Sequence, residues 1–118
     1  MKLVTDTITL TELEKMSEKM KGKVKAVVDI NKGIMVVDAD LHADQVMFLL
    51  KEQGSEQEDL WGIDLYPIIE IKKWAKDDWI HFDSMINIRP SQKNRSRYVE
   101  DPNIRARIVE VVKKLVKS

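Results

Sequence analysis

The fold is decided by the stretch Lys23-Val24-Lys25-Ala26-Val27-Val28-Asp29-Ile30-Asn31-Lys32-Gly33-Ile34-Met35-Val36-Val37. Apolar and charged residues alternate over residues 23–30, which is the pattern of a half-buried β-strand. A short loop over residues 31–33 contains a glycine that takes positive φ at no steric cost, and a second β-rich run follows. We predict a tight hairpin that pairs Ile30 with Ile34, so that the even-numbered apolar residues of both strands share one face.

Three helices are predicted around this hairpin. Thr11 caps the first, and Asp40 caps the second, which covers residues 41–53. Asp101 caps the third, and Pro102 takes the first-turn position where its missing amide hydrogen costs least. The buried face of the second helix is predicted to contain Leu41, Val46, Leu49 and Leu50, widened by Met47 and Phe48. The third helix carries an apolar stripe of Ile104, Ile108, Val111, Val112 and Leu115.

Residues 60–74 and 79–88 are predicted to form a long hairpin around the turn 75–78. Pro67 is the weak point of this prediction, because proline cannot donate a hydrogen bond to a strand ladder. The predicted register has apolar pairs Trp74 with Trp79, Ile71 with Phe82 and Leu65 with Ile88. Its polar pairs are Lys72 with His81, Glu70 with Asp83 and Asp64 with Arg89.

Together these elements predict an α+β fold. We expect a single domain over residues 1–118, with a mostly antiparallel sheet of four to five strands and about three helices packed on its apolar face. Residues 1–8 are predicted to be either an extended arm or an edge strand. A chain of 118 residues is long enough to bury a core without a disulfide or a metal.

Composition excludes several classes of protein. The chain has 20 basic and 20 acidic residues, so no overall field attracts it to nucleic acid or anionic lipid. It has no cysteine, which excludes disulfide frameworks, thiolate zinc sites and cysteine nucleophiles. We find no signal peptide, no apolar run of membrane-spanning length and no glycine-rich phosphate loop. We therefore predict a cytoplasmic protein without a cofactor, and we favour a binding domain over an enzyme.

The loop over residues 89–97 is the main candidate site. Guanidinium groups bind carboxylate or phosphate bidentately, and the adjacent helix start adds a positive dipole end. We predict that this loop holds an anionic ligand, which is a phosphate, a carboxylate or a nucleic acid. The alternative is a purely structural loop, folded by pairing of its arginines with Asp64, Asp83 and Glu100. The predicted contacts are Arg89, Ser91, Lys93, Asn94, Arg95 and Arg97.

Three other functions remain as alternatives, and the catalytic residues of any reaction stay unknown. A small metal-dependent hydrolase would use Asp64, Glu70, His81 and Asp83. A metal site would use the closely spaced Asp38, Asp40, His42 and Asp44, although this run lacks the glycine and distal glutamate of an EF-hand. A subunit of a protein assembly, including a homo-oligomer, would bury Trp61, Trp74 and Trp79 against its partner.

Two segments resemble a known family. The first is Glu58-Asp59-Leu60-Trp61-Gly62-Ile63-Asp64-Leu65-Tyr66-Pro67, and the second is Phe82-Asp83-Ser84-Met85-Ile86-Asn87-Ile88-Arg89-Pro90-Ser91-Gln92-Lys93-Asn94-Arg95-Ser96-Arg97. With Val99-Glu100-Asp101, they resemble a family of small prokaryotic proteins catalogued only as a domain of unknown function. The likeness covers residues 9–116. It implies a stand-alone bacterial or archaeal domain and assigns no role to any residue.

Overall fold

A five-stranded antiparallel sheet forms the centre of the computed structural model, which describes residues 1–72 and 77–118. The strands in spatial order are β1 (Lys2–Val4), β4 (Ile34–Val37), β3 (Val24–Asp29), β5 (Leu60–Leu65) and β6 (Ile80–His81). Two further short strands in the described part of the chain, β2 (Ile8–Thr9) and β7 (Val116–Lys117), pair in parallel. The predicted α+β class with a mostly antiparallel sheet is confirmed.

The described residues also form four α-helices around the sheet: α1 (Leu10–Ser17), α2 (His42–Glu52), α3 (Pro67–Lys72) and α4 (Pro102–Leu115). The start of α4 is as predicted, since the Asp101 carboxylate accepts a hydrogen bond from the Asn103 amide at 2.8 Å. The predicted cap of α1 was wrong by two residues, because Thr9 accepts from the Glu12 amide at 3.1 Å. No described helix is both long and apolar enough to cross a membrane.

The start of α2 also differs from the prediction. The residue before its first turn is Leu41, not Asp40, and its side chain makes no capping hydrogen bond. Leu41 is exposed, although the sequence pattern placed it on the buried face. Because the helix begins one residue later than predicted, His42 becomes the first residue of its buried face.

The hairpin between β3 and β4 forms, but its register is one residue away from the prediction. Asp29 pairs with Ile34, because the Asp29 carboxylate closes the turn by accepting the amide hydrogens of Asn31 and Lys32, both at 2.9 Å. Gly33 takes a φ of +70° there, and its amide donates to the Asp29 carbonyl. A shift of one residue moves every side chain of β4 to the opposite face relative to β3.

As a consequence, helices cover both faces of the sheet. One face packs against α1 and α4, and its buried members include Ala26, Val28, Met35, Val37, Ile63, Leu13, Ile108 and Leu115. The other face packs against α2, and its buried members are Val27, Ile34, Val36, Val46, Leu49 and Leu60. Because both faces of the sheet are buried, the sequences of its central strands are nearly continuous apolar runs.

The predicted long hairpin was wrong. The chain leaves the sheet after Leu65 and forms α3, whose first residue is Pro67, a position that needs no amide hydrogen. On the β6 side of β5, Leu65 pairs with Ile80 and Asp64 pairs with His81, instead of with Ile88 and Arg89. The predicted pairing of Trp74, and the turn residues 75 and 76, lie outside the described residues.

Residues 82–88 were predicted to continue a strand, but they form a loop with a 3-10 helix at Met85–Asn87. The side-chain amide of Asn87 takes the place of a strand backbone here. Its Oδ1 accepts from the Gly62 amide at 2.8 Å, and its Nδ2 donates to the Gly62 carbonyl at 2.9 Å. Asn87 therefore extends the hydrogen-bond ladder of β5 beyond the end of β6.

Among the described tryptophans, Trp61 and Trp79 do not form a surface for a partner. Trp61 and Trp79 are only 1% and 2% exposed, and both belong to the chain's own core. The alternative in which they bury against another subunit was therefore wrong for these two residues. Trp74 lies outside the described part of the chain.

Candidate functional site

The predicted anion-binding loop, residues 89–97, is held together by one buried asparagine. Asn94 is 3% exposed, and its Nδ2 donates to the carbonyl oxygens of Asn87 at 2.7 Å, Tyr98 at 2.8 Å and Ser96 at 3.1 Å. Its Oδ1 accepts from the Glu100 amide at 2.9 Å. These bonds engage both ends of the side-chain amide inside the chain, so Asn94 organises the loop.

Glu100, just after the loop, supplies the loop with an anion from the same chain. One oxygen of the Glu100 carboxylate accepts from the Ser96 hydroxyl and from the amides of Arg95 and Ser96, each at 2.9 Å. The Ser96 hydroxyl contributes most to lowering the pKa of Glu100 below its ordinary value, followed by the Arg95 amide. The Ser96 hydroxyl and the amides of Arg95 and Ser96 are thus occupied by the chain's own carboxylate.

The arginines of the loop take different roles. Arg97 pairs with Asp83, with 2.7 Å between its Nε and Oδ1, and this hydrogen bond holds the pKa of Asp83 below its ordinary value. Ser91, Lys93 and Arg95 are exposed. Arg97 and Glu100 are therefore paired within the chain, as the alternative of a purely structural loop predicts. Lys93 and Arg95 instead leave positive charge on the surface.

Arg89 points away from the loop and toward the start of β5. Its guanidinium donates to the carbonyl oxygens of Gln57 at 2.6 Å and Leu60 at 2.5 Å, and it stacks 4.0 Å from the centre of the Trp61 ring. Burial lowers its pKa from the ordinary value. Its Nε is buried and lacks a hydrogen-bond partner among the described residues.

Arg89 is also the only charged residue that the described chain contributes to the lining of an apolar groove of about 340 Å³. The groove lies between α2 and the segment 85–89, beside the first residue of β5. Its lining contains Ala43, Val46, Met47, Leu50, Leu60, Met85, Ile86 and Ile88, with Gln57 and Arg89 as the polar members. Met47 and Met85 are 47% and 64% exposed, although Met47 was predicted to widen a buried helix face.

A second polar site lies beside this groove and joins three distant segments. Ser84, in the loop over residues 82–88, donates its hydroxyl hydrogen to Nδ1 of His42 on α2, at 2.8 Å. Nε2 of His42 donates to the Ile63 carbonyl at 2.8 Å and lies 3.5 Å from Oδ1 of Asp64. All three side chains are buried, with exposures of 1% for Ser84, 7% for His42 and 4% for Asp64.

The surroundings keep this histidine neutral. Burial is the largest effect and lowers the pKa of His42, while the hydrogen bond to the Ile63 carbonyl and the charge of Asp64 oppose it. The charges of Lys25 and Lys23 lower the pKa further. Because the Ile63 carbonyl only accepts, the ring hydrogen sits on Nε2, and Nδ1 is left with the lone pair that receives the Ser84 hydroxyl.

The four residues of the predicted hydrolase site do not meet. Asp64 faces His42, whereas Asp83 is exposed and pairs with Arg97. His81 is exposed, and its Nε2 donates to the Asp78 carbonyl at 3.0 Å. Glu70 lies on α3 and borders a different cavity, near Trp79. The four side chains therefore do not form one site, although Asp64 and His81 are partners across β5 and β6 and His81 and Asp83 border one cavity.

The predicted metal run also disperses. Asp38 pairs with Lys19 at 2.7 Å, while His42 turns into the interior and Asp40 and Asp44 are exposed. Within residues 1–72 and 77–118, no group of three or more histidine and acidic side chains is arranged to hold a metal ion.

Sequence reasoning missed the contact between His42 and Ser84, but part of the signal was present. His42 lies four and seven residues before Val46 and Leu49, which places it on the inward face of α2. Ser84 has no comparable local signal, because its partner is 42 residues away and its own segment was predicted to be a strand.

Comparison with known proteins identifies the family and nothing more specific. No curated protein and no solved structure matches the chain. Residues 2–115 match a family described as "Protein of unknown function (DUF5674)". The match covers nearly the whole chain, as the resemblance in residues 58–67 and 82–101 implied. The chain therefore belongs to this family of unknown function.

Proposed function

We propose that the protein is a binding domain for an anionic ligand, and specifically for a carboxylate with an apolar tail. One observation carries this proposal: an open apolar groove in which Arg89 is the single charged residue among the described lining. The tail would lie against Met47, Leu50 and Met85, and the carboxylate would lie by the guanidinium of Arg89. The positive charge of this guanidinium would attract the carboxylate.

The groove favours this ligand over the other anions considered. Phosphate and nucleic acid need several converging cations, but Arg97 is engaged by Asp83 and the amides near Arg95 are engaged by Glu100. Lys93 and Arg95 would then contribute only long-range attraction to the ligand, and the uncharged Ser91 would contribute none. A nucleic-acid ligand and a cytoplasmic location remain predictions.

The size of the groove sets the expected affinity pattern. Ligand sites in proteins usually have volumes of roughly 300–1,000 Å³, and this groove is at the lower end, at about 340 Å³. Burying one methylene contributes about 0.8 kcal/mol, which is roughly a fourfold gain in affinity at room temperature. We therefore expect the affinity to rise with tail length until the groove is full and then to stop rising.

Isothermal titration calorimetry with hexanoate, octanoate and decanoate tests the proposal, with octanol as the uncharged comparison. We expect about fourfold tighter binding per added methylene, and weaker binding of octanol than of octanoate. Met47 is exposed and lines the groove. Met47→Glu therefore places a negative charge in the groove and should abolish binding. Arg95→Glu is the matched control, because Arg95 is also exposed but lies outside the groove lining.

Two results would overturn the proposal. The first is the absence of measurable binding to the folded wild-type protein. The second is binding that Arg95→Glu removes and Met47→Glu leaves intact, which would show that the ligand binds the loop over residues 89–97.

A further inference from the structure

We infer that Ser84 is a nucleophile for acyl transfer and that His42 is its general base. This inference does not rest on the proposed ligand. It rests on the 2.8 Å hydrogen bond between the Ser84 Oγ and the His42 Nδ1, and on the position of this pair beside the groove. A serine hydroxyl is a weak nucleophile on its own and is activated by an adjacent base that accepts its proton.

The tautomer of His42 is the one that such a base needs. Nε2 carries the hydrogen that is donated to the Ile63 carbonyl at 2.8 Å, so the lone pair of Nδ1 faces the hydroxyl of Ser84. The ring is held at both ends, by β5 and by the loop before Met85. It therefore needs no reorientation to accept the proton.

Asp64 is placed to stabilise the imidazolium that forms after proton transfer. Its Oδ1 is buried, lacks a hydrogen-bond partner among the described residues and lies 3.5 Å from Nε2 of His42. An unpartnered buried carboxylate oxygen is costly unless a charge or donor comes to it. Lys23 lies 3.8 Å from the other oxygen of this carboxylate, and a positive charge on His42 during the reaction would supply a partner for Oδ1. Asp64 is thus a positioning residue that acts through His42.

In this proposal a substrate reaches Ser84 from the groove, although Ser84 and His42 are not among the described residues that line it. The hydroxyl itself is almost fully covered, but Ala43 and Met85, the next residues after His42 and Ser84, both line the groove. Met85 is 64% exposed, and methionine is a flexible side chain that repacks easily. Rotation of Met85 would admit an ester or another acyl group from the groove to Ser84.

The reaction balances with an ester and water as the only reactants. Oγ of Ser84 forms a bond to the carbonyl carbon, and Nδ1 of His42 takes the hydroxyl proton. The bond to the leaving alkoxide breaks, and His42 returns its proton to that oxygen. Water then attacks the acylated serine while His42 accepts a proton from it. The carboxylic acid leaves as the serine oxygen takes the proton back.

Labelling with an alkyl fluorophosphonate tests the inference on the full-length protein. Oγ of Ser84 would form a bond to phosphorus, fluoride would leave, and His42 would accept the proton. We expect intact mass spectrometry to show one added phosphonyl group, and peptide mapping to place it on Ser84. Ser84→Ala should take no label, whereas Ser91→Ala, which changes an exposed serine of the same segment, should be labelled at the wild-type rate.

The roles of the two partners have separate readouts. His42→Gln should slow labelling by about 100-fold or more, as expected for loss of a general base. Asp64→Asn should keep the label on Ser84 but shift the pH at which labelling becomes fast, while circular dichroism monitors the fold of each variant. Failure of the folded wild-type protein to react, or a label on another residue, would overturn the inference even if a variant fails to fold.

Discussion

Replacing Asn87 by aspartate tests how the sheet is completed at Gly62. The substitution keeps the shape of the side chain and the oxygen that accepts from the Gly62 amide. It converts the amide nitrogen, which donates to the carbonyls of Gly62 at 2.9 Å and Arg97 at 3.0 Å, into a second oxygen. Asn87 is fully buried, so the new oxygen would face two carbonyl oxygens without water.

The expected loss of stability follows from these contacts. Two hydrogen bonds worth about 1 kcal/mol each disappear, and leaving a buried carbonyl without a donor costs about 1–3 kcal/mol more. We therefore expect Asn87→Asp to lower the free energy of unfolding by about 4 kcal/mol at about pH 7. This is a large part of the roughly 5–15 kcal/mol that stabilises a typical domain.

The loss should also depend on pH, with a definite sign. Burial and the facing carbonyls raise the pKa of the new carboxyl in the folded state above its unfolded value. The folded variant therefore binds a proton more readily than the unfolded one, and its deficit relative to wild type shrinks as the pH falls below the folded-state pKa. The protonated acid donates one hydrogen bond again.

Urea unfolding of both proteins at about pH 7 and about pH 4.5 measures these differences, provided that the denaturant slope stays the same. Asn31→Asp is the matched control, because Asn31 is exposed in the β3–β4 turn, and it should change stability by less than about 0.5 kcal/mol. A loss below about 1 kcal/mol for Asn87→Asp, or a loss that does not shrink at lower pH, would refute the reasoning.

Three further predictions concern the same region. Gly62→Ala should cost about 1–3 kcal/mol in a thermal melt, because the new Cβ would lie 2.6 Å from Cβ of Ser84; an unchanged melting temperature would contradict so close an approach. Glu100→Ala should speed tryptic cleavage after Arg95, because the loop amides lose their acceptor, and equal cleavage rates would argue against that role. Stability should fall as the pH drops below about 6.5, the ordinary pKa of histidine, because the lowered pKa of His42 makes the unfolded chain take up the proton first. His42→Gln should flatten that part of the curve, and a wild-type stability that rises instead would contradict the assignment.

Elements with strong local signals were predicted correctly from the sequence. The start of α4 depends on Asp101 and Pro102, whose effects act within one helical turn. The β3–β4 hairpin was also predicted, but its register depends on which residue closes the turn. The carboxylate of Asp29 decides this by binding the amides of Asn31 and Lys32, and the apolar pattern alone does not indicate that choice.

The region after Leu65 was harder because two interpretations fit the same residues. Ile68, Ile69 and Ile71 are β-branched and favour a strand, yet residues 67–72 form a helix. Pro67 breaks the ladder and suits a first helical turn, so a local backbone constraint outweighed the propensity of the following residues. The candidate site was harder still, since Ser84, His42 and Asp64 come from three separate segments.

The basic loop illustrates why charge alone is a weak predictor of a binding site. Arg97, the amides near Arg95 and the side chain of Asn94 each have an acceptor nearby in the same chain. Folding therefore accounts for Arg97, Asn94 and these amides, but not for the exposed charges of Lys93 and Arg95. Folding does not explain why apolar residues such as Met47 and Met85 are exposed, because their exposure costs hydrophobic free energy and contributes nothing to the core. The apolar surface that folding leaves unexplained is the groove beside Arg89, and that is where a function is best sought.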